Sequence, residues 1–276
     1  MDPPAVVPGL SSDPIAEARN LHFAFTDREV FRGLDLAIPR GRITVIMGPS
    51  GCGKSTFLGL LGGRLRARSG ELRFGGEPLP VNNAGLYAMR RKMGMLFQNS
   101  ALLTDLNVFE NVAFPLREQT DLPEELIRIL VLMMLEMVGL RGARDLMPSE
   151  LSGGMSRRVS LARAIVLGPQ LIMYDEPFVG LDPISMGVIL QLIHKLNTAM
   201  GITSVVVTHD VTEGCSIADY VYLLDDGRVV GHGVPEEMMN SEDPGIRQFM
   251  DGLPDGPVGY HYPATDYLED LGAARP

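Results

Sequence analysis

A phosphate-binding loop is indicated at residues 48–56, whose sequence is GPSGCGKST. The segment matches the pattern G-x-x-x-x-G-K-[ST] between an apolar strand-like run and a helical segment. Lys54 would reach the β- and γ-phosphates of a nucleotide, and the Ser55 hydroxyl would ligate Mg²⁺. A glycine-rich turn without a ligand is the alternative, which the strand–loop–helix frame disfavours. We therefore assign the whole loop to nucleotide binding: Gly48, Pro49, Ser50, Gly51, Cys52, Gly53, Lys54, Ser55 and Thr56.

Two acidic residues follow another apolar run, in the segment LIMYDEP at 171–177. A buried strand would deliver Asp175 and Glu176 at its carboxyl end, where open α/β sheets bind their ligands. Asp175 would hold the magnesium ion, and Glu176 would orient or deprotonate the attacking water. Acidic pairs in this position are often solvated loop residues, so the catalytic interpretation depends on the phosphate-binding loop.

His209 and Gln98 also end apolar runs, in the segments VVVTHD and MLFQNS. A lone histidine is more often structural, but a position after a further parallel strand favours a contact between His209 and the γ-phosphate. The Gln98 amide would reach the ligand shell of the metal. Neither residue carries the interpretation without the phosphate-binding loop.

A second anion site is indicated at residues 151–158, whose sequence is LSGGMSRR. Ser152 can cap a helix that we predict over 155–167, while Gly153 and Gly154 leave its first N–H groups bare. A helix terminus offers only about half a charge, which is too little to hold a nucleotide by itself. The segment therefore predicts an incomplete site.

These residues require a sheet that places them together. Apolar runs predict strands at 20–25, 34–38, 43–47, 171–174 and 204–207, and turn residues predict hairpins at 70–79, around Gly75-Gly76, and 221–233, around Asp226-Gly227.

Residues 107–148 have a helical pattern, with Pro115, Pro123 and Pro148 as breaks. The run ILVLMMLEMVGL at 129–140 is apolar nearly all round, which predicts a buried or docking helix. It is too short for a membrane span, which needs about 20 residues.

Charge and cysteine content narrow the class of protein. The net charge of −10 disfavours a nucleic-acid partner, because phosphate backbones are held mainly by Lys and Arg. The only cysteines, Cys52 and Cys215, make no disulfide framework, and the start of the chain has no signal-peptide pattern. We expect a reducing compartment.

The sequence resembles the ATP-binding-cassette (ABC) ATPases over about residues 16–248. The resemblance is in the order and spacing of the phosphate-binding loop, Gln98, LSGG, Asp175-Glu176 and His209. The resemblance implies an α/β P-loop NTPase fold with a mainly parallel core sheet, an antiparallel β-subdomain and an inserted helical subdomain at about 99–168. ATP and Mg²⁺ would be the ligands. Two copies would pack head to tail, so that Ser152, Gly153 and Gly154 of one copy bind the γ-phosphate of ATP in the other copy's loop.

The resemblance also assigns roles to Asp182 and Phe25. Asp182, in GLDP, would lie at the dimer interface, and Phe25 would stack against adenine. The alternative for Phe25 is a core residue, because Phe23 and Phe25 share one face of a strand.

The sequence departs from the common family pattern at several positions, and there it resembles the Mla-type ATPases of bacterial phospholipid transport. Met155 replaces the usual signature glutamine, which removes a side-chain hydrogen bond, and Phe178 and Val179 replace small polar residues. The segments LMPSELSGGMSRR, TDLNVFENVAFPLRE and DGPVGYHYPATDY carry the same resemblance.

The Mla-type resemblance implies a peripheral protein on the cytoplasmic face of the bacterial inner membrane. Residues 98–111 would pass motion to a transmembrane permease. A small STAS-domain subunit would bind the ATPase, and a periplasmic MCE lipid-binding protein would be reached through the permease. Nucleic acid would not be a partner.

Alternative functions remain open at this point. The same ATPase could serve another cargo, such as an amino acid or a lipoprotein. A cassette acting on DNA or ribosomes is disfavoured by the acidic charge and by the lack of coiled-coil insertions or a second cassette. A P-loop kinase would lack LSGG.

The ends of the chain and Cys52 complete the expectations. We predict a flexible lead at 1–15 and, at 249–276, an extension whose Tyr260, Tyr262 and Tyr267 anchor it to a neighbouring subunit; a disordered end is the alternative. The position of Cys52 before a helix N-terminus and near Lys54 predicts thiolate character, with a small packing residue as the alternative.

Overall fold

The structure, a computed structural model, describes residues 13–26 and 28–258. Its strands are β1 Pro14–Phe25, β2 Arg28–Pro39, β3 Ile43–Met47, β4 Ser69–Phe74, β5 Glu77–Pro78, β6 Met93–Leu96, β7 Leu171–Asp175, β8 Thr203–Val207, β9 Tyr220–Asp225 and β10 Arg228–Gly233. Its α-helices are α1 Lys54–Leu61, α2 Asn83–Arg90, α3 Val108–Gln119, α4 Glu124–Met137, α5 Gly153–Ile165, α6 Pro183–Met200, α7 Val211–Ile217, α8 Pro235–Met239 and α9 Pro244–Met250.

The core sheet has the strand order β10-β9-β3-β8-β7-β6. Every pair in it is parallel except β10 with β9. The strands β3 and β8 are buried along their whole length, which explains their continuous apolar sequences. Because β3, β6, β7 and β8 run in the same direction, the chain leaves their carboxyl ends at one edge of the sheet. This edge carries the phosphate-binding loop, Gln98, Glu176 and His209.

A smaller antiparallel sheet has the strand order β2-β1-β4-β5 and contains the predicted turn at Gly75-Gly76. Its first strand begins earlier than the sequence indicated. Ile15 is 1% exposed, and its carbonyl accepts a hydrogen bond from the Gly75 N–H. The predicted lead of 1–15 is therefore two residues too long, because Pro14 and Ile15 belong to β1. Residues 1–12 lie outside the described part of the chain.

Helices α3, α4 and α5 lie between β6 and β7 and pack on one another. The prediction that Pro115 breaks a helix is wrong, since Pro115 lies inside α3. A proline removes one backbone hydrogen bond, and the burial of Val112 and Leu116 on either side holds the two turns against the core. Pro123 and Pro148 are boundaries as predicted: Pro123 caps α4, and Pro148 begins a short 3-10 turn.

The apolar helix α4 is buried on one face only. Ile127, Val131 and Leu135 are in the core, whereas Ile129 and Met133 are 53% and 55% exposed. Among the residues that the structure describes, no helix has the length and apolar content needed to cross a membrane.

After α9 the chain folds back onto Gln248. The Gln248 side chain is buried, donates to the Val258 carbonyl at 2.8 Å and accepts from the Val258 N–H at 2.8 Å. A Cβ on Gly256 would lie 2.4 Å from the Gln248 side chain, so the close approach requires glycine. The predicted extension at 249–276 therefore starts too early, because α9 continues to Met250 and residues up to Val258 stay attached. Its tyrosines at 260, 262 and 267 lie outside the described residues.

Candidate active site

The phosphate-binding loop connects β3 to α1 and depends on glycine at its two ends. Gly48 has φ +148°, and a Cβ there would lie 2.2 Å from the Leu224 carbonyl oxygen. Gly53 has φ +110°, and a Cβ there would lie 2.8 Å from the Phe31 ring. Both conformations are rare for other residues, and both close contacts exclude a side chain. The loop thus keeps its backbone N–H groups accessible at the start of α1, where phosphate binds favourably.

Lys54 is the first residue of α1 and is 6% exposed. Its Nζ donates to the carbonyl oxygens of Gly48, at 2.6 Å, and Pro49, at 3.1 Å. The Glu176 Oε1 atom lies 3.8 Å from the same Nζ. The ammonium group therefore sits inside the curve of the loop, close to the carboxylate that ends β7.

A set of oxygen atoms suited to magnesium lies beside the lysine. The Ser55 hydroxyl donates to Asp175 Oδ1 at 2.7 Å, which brings the two proposed metal ligands together across a sequence separation of 120 residues. Gln98, which follows β6, lines a cavity together with Lys54 and Ser55. Hydroxyl, carboxylate and amide oxygens are the ligands that Mg²⁺ prefers. The residues present fit this ion.

Glu176 is held by His209. The Glu176 Oε2 atom lies 3.0 Å from His209 Nδ1 and accepts from the His209 backbone N–H at 3.3 Å. Glu176 has φ +47°, an uncommon conformation for a residue with a side chain. Such strain often occurs at functional sites, where the surrounding structure holds it in place. The geometry suits a carboxylate that positions a water molecule.

The cavity at this edge of the sheet has a volume of about 410 Å³. It brings together ten of the residues selected from the sequence: Phe25, Ser50, Gly51, Gly53, Lys54, Ser55, Thr56, Gln98, Glu176 and His209. The side chains of Phe25 and Phe23 lie in different environments. Phe23 is 6% exposed, whereas Phe25 is 48% exposed and presents its ring at the cavity, edge-on to Phe23.

No residue of the LSGG segment, 151–154, lines this cavity. Its helix, α5, begins at Gly153, two residues earlier than predicted, and ends at Ile165 rather than at residue 167. The Ser152 hydroxyl accepts from the Met155 N–H at 3.2 Å, so that N–H is not bare. Gly153 is exposed, and no atom outside its own backbone surroundings lies within 4 Å of where its Cβ would be.

Asp182 is also outside the cavity lining and caps helix α6. Its carboxylate accepts from the N–H groups of Ile184 and Ser185, each at 3.0 Å. The hydrogen bond from the Ser185 hydroxyl, followed by those from the backbone, lowers the pKa of Asp182. The carboxylate therefore fixes the start of α6.

The expected thiolate character of Cys52 is wrong. Burial raises the pKa of the Cys52 thiol, and the positive charge of Lys54 only partly opposes this. The Glu176 carboxylate, 3.8 Å from the Lys54 Nζ atom, offsets part of that positive charge. Cys52 borders a second cavity beside the loop rather than the one that holds Lys54 and Glu176.

Three cavity residues were not assigned to the site from the sequence: Arg28, Val30 and Val179, the last of which was noted only as a departure from the family pattern. A guanidinium nitrogen of Arg28 lies 3.5 Å from where a Cβ on Gly51 would be, which places a cation above the loop. The one signal in the sequence that could have assigned Arg28 to the site is its position three residues after Phe25. The two valines line the cavity through packing, and no local pattern marks such residues.

Comparisons with known proteins agree with this geometry. A family model described as "ABC transporter" matches residues 31–179. The chain is 55% identical over 258 residues to the intermembrane phospholipid transport system ATP-binding protein MlaF of Haemophilus influenzae, covering 93% of this chain and 98% of that protein.

Two solved structures show the same fold. The structure of cbiO1 from Clostridium perfringens, part of the ABC transporter complex cbiONQ, has a TM-score of 0.78 and 30% identity over 83% of this chain and 92% of its own. A dimeric post-hydrolysis structure of the ATP-binding cassette MJ0796, bound to ADP and Pi, has a TM-score of 0.73 and 31% identity over 80% of this chain and 98% of its own.

Proposed function

Because the chain belongs to the ABC transporter family, we propose that it is the ATP-hydrolysing subunit of a bacterial transporter that moves phospholipids between the inner and outer membranes. The likeness to MlaF extends over nearly the whole of both chains, which supports the phospholipid cargo. The loop, the acidic strand end and the histidine at one cavity support ATP hydrolysis.

ATP would bind with its adenine against Phe25 and its phosphates in the loop 48–56. Lys54 would exchange its loop carbonyl partners for the β- and γ-phosphates. Glu176 would orient the water molecule and take its proton. His209 holds that carboxylate through Nδ1, and its Nε2 atom, which lies 3.8 Å from Asp210 Oδ1, would turn to the γ-phosphate. Ser55, Gln98 and Asp175 would hold Mg²⁺, which neutralises charge on the phosphates when bound.

The observation that carries the two-copy arrangement is that no residue of the LSGG segment lines the cavity. Ser152 and Gly153 are exposed, at the start of a helix whose first N–H groups favour an anion. The cavity, in turn, is open and lacks donors from that segment. A second copy packed head to tail would complete each site with the other's Ser152, Gly153 and Gly154, with Asp182 at the contact. The dimeric MJ0796 structure supports this arrangement.

Residues 98–111 form a connection that suits contact with a permease. Gln98 lines the cavity at one end of this segment. At the other end, the buried Asn111 side chain accepts from the Leu103 N–H and donates to the carbonyls of Leu103, Leu106 and Asn107. These bonds hold residues 103–111 together, and the Ser100 carbonyl accepts from Ser160 and Arg163 of α5. A movement that passes from Gln98 along the chain would displace the exposed Leu103.

The remaining assignments rest on the Mla-type resemblance. The ATPase would lie on the cytoplasmic face of the inner membrane, with a STAS-domain subunit bound to it and an MCE protein reached through the permease. The domain assignment is an ATPase unit with its helical subdomain at about 99–168, and a tail that contacts a subunit or partner.

Purification of the tagged chain from bacterial membranes tests the cargo. We expect mass spectrometry to find a permease, an MCE protein and a STAS-domain protein, together with phospholipid enriched over an untagged control. Recovery of an amino-acid or lipoprotein transport system without enriched phospholipid would contradict the proposed cargo.

Substitution of Gly153 by Asp tests the two-copy arrangement. No neighbouring atom lies within 4 Å of the new Cβ, so the fold should not change. The added charge would repel the γ-phosphate. We expect ATP binding to the monomer to persist while ATP-dependent dimerisation, measured by light scattering, is lost. An unchanged dimer would refute the arrangement.

A further inference from the structure

Arg157 is a buried guanidinium that connects two functional segments of the chain. It lies on α5, four residues after its start, and is 5% exposed. One terminal nitrogen donates to the Glu176 carbonyl oxygen at 2.9 Å, and the other donates to the Val179 carbonyl oxygen at 3.1 Å. The two bonds join the helix that follows the LSGG segment to the loop that follows β7.

These contacts leave the charge of Arg157 without an acidic partner. Within residues 13–26 and 28–258, no ion pair includes Arg157. Its Nε is buried and makes no hydrogen bond within the same part of the chain. Burial lowers the pKa of Arg157, because it removes water from around the charged guanidinium. A buried charge with two carbonyl partners is expensive compared with an apolar side chain, so stability alone does not account for it.

Both segments that Arg157 joins are closely constrained. Glu176 has φ +47°, and its carbonyl is the one that Arg157 holds. On the other side, a Cβ on Gly154 would lie 2.6 Å from the Ser185 hydroxyl, so the first turn of α5 packs directly on the start of α6. Movement of the loop 176–179 cannot leave the LSGG segment unaffected while these contacts persist.

We propose that Arg157 is a positioning residue that couples the two ATP sites of the dimer. Within one chain it links the backbone of Glu176, which acts on that chain's own ATP, to the LSGG segment, which acts on the other copy's ATP. The proposal rests on the head-to-tail arrangement of the proposed function. Arg157 touches neither nucleotide. It sets where the carboxylate and the LSGG segment stand relative to each other.

Mixed dimers separate the two ends of this link. One chain carries Glu176→Gln, so that hydrolysis depends on the Glu176 of the other chain, and two different affinity tags select the mixed species. Arg157→Gln is then placed either in the chain with intact Glu176 or in the chain with Glu176→Gln. In the first placement it acts on the working carboxylate, and in the second it acts on the LSGG segment that completes the working site.

We expect both placements to lower kcat by about fivefold or more, in the range of coupling between sites, with the KM for ATP unchanged because the loop around Lys54 is not altered. Arg157→Lys keeps the charge but can reach fewer carbonyls, so it should give an intermediate kcat. It also serves as the second variant if Arg157→Gln does not fold, as judged by its melting temperature and ATP binding.

Arg158→Gln is the matched control, because Arg158 is the next residue of α5 and donates to the Val138 carbonyl at 3.1 Å instead of to the Glu176 loop. In the chain with intact Glu176 it should leave kcat unchanged. A loss of kcat from Arg157→Gln in one placement only would mean that Arg157 stabilises just one of the two segments. That result would overturn the proposed coupling between the two ATP sites. Failure of the parent chains to form an ATP-dependent dimer would instead overturn the two-copy arrangement and this proposal with it.

Discussion

Replacement of Glu176 by Gln separates the chemical role of the carboxylate from its structural role. The Glu176 Oε2 atom accepts from His209, and an amide oxygen can accept the same bonds. The amide cannot accept a proton from water at neutral pH. A positioned acid–base group contributes roughly 10²- to 10⁴-fold to a rate, which corresponds to about 2.7 to 5.5 kcal/mol of activation free energy. We expect kcat to fall by about 10²-fold or more.

Nucleotide binding should not fall in the same variant. Lys54 Nζ lies 3.8 Å from Glu176 Oε1, and at an effective dielectric constant of about 20 this pair has a gross attraction of about 4 kcal/mol. An amide removes most of that attraction, so Lys54 becomes freer to bind phosphate. We expect the affinity for ATP to be unchanged or higher, and the ATP-bound dimer to persist because hydrolysis no longer ends it.

Phosphate release in the presence of MgATP measures the first effect, and size-exclusion chromatography with MgATP measures the second. Asp210→Asn is the matched control, since Asp210 Oδ1 lies 3.8 Å from His209 Nε2 but does not line the cavity. This control should retain turnover. Turnover within tenfold of the parent protein in the Glu176→Gln variant would remove Glu176 from the role of base.

Three other features give checkable outcomes. Gly48→Ala should lower the free energy of unfolding by about 2 kcal/mol or more in thermal denaturation, because its Cβ would meet the Leu224 carbonyl at 2.2 Å, whereas Gly153→Ala, with open space around it, should leave the melting temperature unchanged. Alkylation of Cys52, followed by mass spectrometry, should be slow at pH 7 and rise about tenfold per pH unit toward its raised pKa; a rate that is flat from pH 7 to 9 would contradict the effect of burial. Deletion of 259–276 should preserve melting temperature and nucleotide binding but weaken dimerisation or partner binding in light scattering, while deletion from 251 should also lower the melting temperature because Gln248 loses Val258. Normal assembly of both truncated chains would show that the tail makes no such contact.

Sequence patterns predict much of the functional edge of the core sheet, because the mainly apolar runs at β3, β7 and β8 are followed by the phosphate-binding loop, Glu176 and His209. The strand order β3-β8-β7, which the sequence does not reveal, brings Ser55 and Asp175 into contact. Strand β1 was underestimated because Glu17 and Arg19, which are partly buried and pair with each other, interrupt the apolar pattern. Pro115 was misjudged because a local rule for proline does not include the burial of neighbouring turns.

Other features depend on contacts that no local pattern contains. The raised pKa of Cys52 follows from burial, which outweighs the nearby lysine and helix terminus that the sequence displays. Arg157 appears in the sequence as one of two adjacent arginines, and only the fold shows that it donates to Glu176 and Val179 while Arg158 donates to Val138. Which arginine belongs to which segment is decided by the side of α5 on which it lies.

The attachment of Val258 to Gln248 moves the point at which the chain leaves the body of the protein. Helix α9 ends at Met250, but the two hydrogen bonds to Gln248 hold the chain in place as far as Val258. The exit point is therefore fixed beside α9, and a single buried amide side chain sets its position.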